Sequence, residues 1–177
     1  MKNLLLGFLL FSSLTAQAQQ TDYKLTFEKI RQASQILEKQ SPKTLKIDPK
    51  AFDFLKTNMQ KILDVGATVP LELKDPIDAV CSQRALAYVN KPFINVCPVF
   101  YTFSDGAQIQ VLIHEFYHIV ADENEALATL LEYGILHLTN TPDAIPSLYL
   151  EVVENAEFDW VYKTLRAIKK FATKKLK

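Results

Sequence analysis

The sequence has no surplus of charge of either sign, since 20 basic residues face 20 acidic ones. No stripe of Lys and Arg interleaved with aromatics stands out either, which argues against nucleic acid as a partner. No apolar run reaches the roughly 20 residues that a spanning helix needs, so no stable membrane span is expected. There is no internal repeat and no low-complexity tract. No cysteine lies near Ala18, so nothing points to a lipid-anchored terminus. Cysteine as a whole is scarce, with only Cys81 and Cys97, and histidine occurs three times. Two groups that bind metals well are therefore rare, and their positions carry information.

What is present begins with a leader. A charge at Lys2, an apolar run from Leu4 to Phe11 and a small-x-small site at Ala16-Gln17-Ala18 follow one another. That order is the layout of a cleavable secretory signal, so residues 1–18 are expected to be removed and the protein exported, to the extracellular space or periplasm. Residues 19–177 then make one domain, with nearly half of the composition apolar and enough material for a core. A monomer is expected. In an oxidising compartment Cys81 and Cys97 either pair or stay as two buried thiols. Their spacing matches no common zinc pattern.

Helical spacing of Tyr23, Leu25, Phe27, Ile30, Ala33 and Leu37 predicts a helix over 22–39, ended by Ser41-Pro42. Pro49 to Asp64 predicts a second helix, closed by Gly66. Val69 to Leu73 reads as a short strand. Ala85 to Val89 and Phe93 to Phe100 read as a hairpin or two neighbouring strands around Asn90-Lys91-Pro92. Ser104 and Asp105 are helix-capping residues. The stretch behind them, from about Gly106 to Val120, is apolar almost all round, as in a buried central helix. A polar break at Ala121–Asn124 precedes another helix to about Leu138. A loop follows from Thr139 to Pro146, then a lysine-rich last helix from about Ser147. Its Lys163, Arg166, Lys169, Lys170, Lys174 and Lys175 would suit an anionic surface, although a solvated, fraying helix end accounts for them more simply.

The informative residues are His114-Glu115-Phe116-Tyr117-His118, the pattern H-E-x-x-H. Chance produces it on the order of once in several hundred sequences with so few histidines. Two histidines four apart sit one turn above each other and can share a metal ion, here Zn2+. Glu115, rotated by about 100°, is left to act on a metal-bound water as general base. A catalytic zinc takes a third protein ligand from elsewhere. Asp122 would lie about 12 Å from His114 along a continued helix, too far to share the ion. Glu125 heads the next helical segment and is the first candidate. Glu132, seven residues on, is the reserve, or else a residue behind the ligands or on the surface. Tyr117 and Tyr133 are candidate donors to a developing oxyanion, or simple packing residues. His137 reads as a packing residue.

At HEFYH the chain resembles the zincins, zinc metallopeptidases built around such a helix. Upstream, CSQRALAYVNKPFINVCPVFY resembles the deuterolysin-type aspzincins, with their cysteine, Ala-Tyr strand and Cys-Pro strand ahead of the motif. That likeness implies a Cys81–Cys97 disulfide and a strand around Phe93 to Val99 beside the substrate cleft. The aspzincin aspartate ligand, in a Gly-Thr-x-x-Asp segment, has no counterpart here. Asn124-Glu125-Ala126 is instead similar to the glutamate-bearing helix of the gluzincins. The resemblance spans residues 81 to 134. It implies an α+β, zincin-like fold, with a short sheet or hairpin packed on a central HExxH helix between flanking helices. The expected activity is that of a secreted zinc-dependent metalloendopeptidase acting on peptide or protein. The alternative is a non-catalytic, zinc-stabilised binding or inhibitory protein of the same fold.

Overall fold

A computed structural model describes residues 23–83, 85–141 and 159–175. The expected leader, most of the expected loop that begins at Thr139 and the expected start of the last helix lie outside the described residues. The described chain is α+β. Its helices are α1 (23–38), α2 (Pro42–Leu45), α3 (Pro49–Val65), α4 (Asp105–Val120), α5 (Glu125–Leu138) and α6 (Asp159–Lys175). Three strands, β1 (Leu71–Leu73), β2 (Ala87–Asn90) and β3 (Phe93–Val96), form one small sheet.

Local chemistry sets most of the boundaries. Asp48 accepts the Lys50 N–H at 2.7 Å ahead of Pro49, and α3 begins there. Ser104 caps α4 through Ala107 N–H, and Asn124 caps α5 through Leu127 N–H at 3.0 Å. Gly66 ends α3 for a different reason from a left-handed turn. Its φ of −60° is helical, and the chain runs on into a 3₁₀ turn, Gly66–Thr68. A Cβ at Gly66 would meet the Phe27 ring at 2.2 Å, so close approach of α1 is what requires glycine. The second β run is shorter than its composition predicts, because Pro98 starts a 3₁₀ turn, Pro98–Thr102, after Cys97.

Sheet order is β1-β3-β2. β2 and β3 are antiparallel across the Asn90–Phe93 turn, with Ala87 opposite Val96. β1 joins the other side of β3 in parallel, with Leu71 opposite Ile94. A Cys81–Cys97 disulfide ties the segment entering β2 to the end of β3.

α4 occupies the centre, buried at every residue from Leu112 to His118. The N-terminal helices belong to the same core rather than lying over it. Phe27 packs its ring 5.2 Å from that of Phe116, and Ile30, Ala33 and Leu37 are fully buried. α3 meets α5 closely enough that a Cβ on Gly134 would sit 2.9 Å from Leu55. α6 is helical through Lys175 and packs on α5 with Val161, Leu165 and Ile168 buried, while Lys163, Lys169, Lys170 and Lys174 are exposed, as in a solvated helix face. Among the described residues, no helix is long and apolar enough to cross a membrane.

Candidate metal centre

His114 and His118 project from one face of α4, with ring centroids 4.9 Å apart. The turn after α4 determines what they meet. Without Gly or Pro, the link from Ala121 to Asn124 is folded by Asp122. Its Oδ1 accepts the Asn124 N–H and the Tyr117 hydroxyl, both at 2.9 Å. The Asn124 cap then starts α5 with Glu125 as first residue, and α5 folds back along α4.

This places the Glu125 carboxylate against both imidazoles. One oxygen is 2.9 Å from His114 Nε2 and the other 3.6 Å from His118 Nε2. One ligand atom from each of His114, His118 and Glu125 lies within 4.8 Å of the others, and the three could hold a metal ion. The other ring nitrogens are already engaged. His114 Nδ1 is 2.8 Å from Glu132 Oε2, and His118 Nδ1 is 2.7 Å from the Asp122 carbonyl oxygen. A proton on each Nδ1 leaves each Nε2 lone pair facing the gap, the tautomer a metal requires.

Glu132 therefore stands behind His114 rather than beside Glu125. Its other oxygen accepts a hydrogen bond of 2.6 Å from Gln110 Nε2, and both residues are buried. Carboxylates two turns apart on one helix face thus contact opposite nitrogens of one ring. Sequence spacing puts both near the histidine, but only the approach angle of α5 separates their roles.

Burial and partners push the ionisable groups in opposite directions. Burial alone would lower the His114 imidazole, but hydrogen bonds to Glu125 and Glu132 outweigh it and push it up to about 10. His118 is raised too, as its bonds to Glu125 and Asp122 overcome burial. Glu125 is drawn down to about 2 by His114 and then His118. Glu115, by contrast, is raised by burial, which outweighs the pull of the two histidines. One carboxylate is kept ionised as a ligand must be, and its neighbour is held above the ordinary range, where a proton can be both taken and returned.

Glu115, His114, His118, Glu123 and Glu125 form one wall of a cleft of about 680 Å³. The other wall is β2 and its turn, Ala87 to Lys91. The likeness to aspzincins placed the strand around Phe93 to Val99 beside the cleft, and the structure corrects this. β3 is the central strand, hydrogen-bonded on both sides, while β2 is the edge whose outer backbone groups are open. Neither expected oxyanion donor reaches the cleft. The Tyr117 hydroxyl is committed to Asp122, and buried Tyr133 lies at Gln110 and against the His137 ring. His137 thus packs as expected. Tyr88 and Lys91 on the cleft wall and the bracing residue Gln110 are not singled out by any sequence pattern, and Asp122, set aside as a ligand, braces the site through its carbonyl oxygen instead. The one available sign for Gln110 was its place one turn before His114.

No family model, no curated protein and no solved structure matches the chain.

Proposed function

We propose that the chain is a zinc-dependent metalloendopeptidase of zincin-like fold, exported after cleavage near Ala18. The observation that carries this reading is the convergence of His114 Nε2, His118 Nε2 and the Glu125 carboxylate, with Glu115 beside them under an open strand edge. Two nitrogens and one carboxylate are a donor set that suits zinc, with a further position left for water or substrate. When bound, zinc supplies Lewis-acid polarisation of the peptide carbonyl and of water.

The protein's own groups do the rest. The β2 edge aligns an extended peptide through main-chain hydrogen bonds. A Glu115 carboxylate oxygen takes the proton of the attacking water and passes it to the leaving amine. Glu132 and the Asp122 carbonyl hold the two imidazoles in register. Replacing Glu115 by Gln should leave stoichiometric zinc in place and lower peptide turnover by about 10²–10⁴-fold. Undiminished turnover of a peptide library by that variant removes Glu115 from the chemistry.

One observation favours the second reading, a zinc-stabilised binding or inhibitory protein. The only tyrosine hydroxyl on the described cleft wall, that of Tyr88, donates to Asp78 at 3.2 Å instead of pointing at a substrate. A protein that holds stoichiometric zinc and cleaves no peptide in the library is of this second kind.

A further inference from the structure

The last helix offers a surface that the metal centre does not use. α6 fixes one side in the core through Val161, Leu165 and Ile168. Its exposed side carries Lys163, Arg166, Lys169, Lys170 and Lys174. Lys163, Arg166, Lys170 and Lys174, spaced by three and four residues, form one continuous stripe. The helix is 17 residues long, or about 25 Å. Asp159 is its only acidic residue, and it is already paired with Lys163. Among the described residues, Arg166, Lys169, Lys170 and Lys174 have no ion-pair partner.

A second element adds exposed cations next to this helix. α2 contacts α6, and Lys43 in it and Lys46 at its end are both exposed. Lys46 caps α2 in the left-handed region, with φ of 60°, where Gly or Asn is favoured. In a chain with equal numbers of acidic and basic residues, seven exposed cations thus lie on or at the end of two helices in contact.

We propose that this face docks the protein on an anionic phospholipid surface. A stripe along one side of a helix whose other side is buried in the core suits a plane better than a groove. Trp160 borders it at the start of α6, partly exposed, and tryptophan is favoured at the bilayer interface. The apolar face of α6 is committed to the core, so attachment is peripheral and electrostatic, without insertion. α5 contacts both α6 and α4, and no described residue of α6 lines the cleft.

The test uses the mature chain and vesicles of phosphatidylcholine with or without phosphatidylglycerol. Cosedimentation with the phosphatidylglycerol vesicles at low ionic strength, release by salt and no binding to phosphatidylcholine alone are expected. Each cation near such a surface contributes about a fivefold gain in affinity. The double variant Lys163→Glu/Lys170→Glu should therefore bind more than about tenfold more weakly. Its thermal unfolding and zinc content should be unchanged. Lys43→Glu/Lys46→Glu should weaken binding as well, and supports the proposal independently if the α6 variant misfolds. Equal binding to both vesicle types, full binding by both charge-reversal variants, or capture by heparin without any vesicle binding overturns it. None of these outcomes depends on whether the cleft cleaves peptides.

Discussion

The two sides of α5 differ sharply in what they meet. Toward α4 it presents Glu125 and Glu132, each hydrogen-bonded to an imidazole. Toward α3 and α6 it presents Gly134, whose backbone lies against Leu55 and Ile168. The first seam consists of directed polar contacts that orient groups. The second is apolar and close-packed, and its contribution is cohesion. A buried polar seam contributes little net stability, because desolvation offsets much of what its bonds return. The difference teaches that, on the proposed function, metal binding and folding stability rest on opposite faces of one helix, so substitutions should separate them.

The largest effect is expected from removing the carboxylate that faces both rings. Glu125→Ala should lower zinc affinity by more than about a hundredfold, as the loss of a ligand costs more than the loss of a residue behind one. Competition against a chromophoric chelator measures it, and unaltered affinity would move the third ligand elsewhere. Next comes the apolar seam, where Leu55→Ala should cost about 2–5 kcal/mol in denaturant unfolding while zinc stoichiometry at low temperature is retained. A Leu55 variant that lost zinc before it lost structure would erase the contrast between the seams.

A smaller change is expected behind the ligands. Glu132→Gln keeps the shape but not the charge, and should weaken zinc binding by about 10–100-fold. If it instead abolished binding, Glu132 would be the ligand and Glu125 its support.

A graded effect, spread over several pH units, is that of pH on the metal-free protein. The His114 imidazole is raised from 6.5 to about 10, so its stabilising contribution is fully present below about 6.5 and is lost as pH rises toward 10. Glu125 is lowered from 4.5 to about 2, so its share is present above 4.5 and lost as pH falls toward 2. The metal-free melting temperature should therefore decline between pH 6.5 and 10. Over the same interval zinc affinity should rise, because the ion displaces the His114 proton. A melting temperature that climbs through that interval contradicts the imidazolium pairing.

Much of this was legible in the chain. HEFYH set two donors one turn apart, and Ser104 marked a helix start because a capping side chain acts within three residues of itself. Glu125 was readable as the head of the helix after the polar break. The choice of cleft wall was not, because it depends on β1 joining β3 in parallel and leaving β2 at the edge, a pairing between distant segments that no local pattern encodes. The tyrosines illustrate the same limit. Residue type made Tyr117 a candidate donor, and only the fold of the turn revealed that Asp122 takes its hydroxyl.

The contact between Phe27 and Phe116 bears on how the protein can be shortened. Tyr23 also rests its ring 5.5 Å from Phe116 and donates its hydroxyl to the Val69 carbonyl oxygen at 2.9 Å. The helix that bears the histidines is thus wedged from behind by aromatic rings near the beginning of the described residues. Trimming past Tyr23 would unseat that wedge, so an affinity handle or processing site belongs upstream of it.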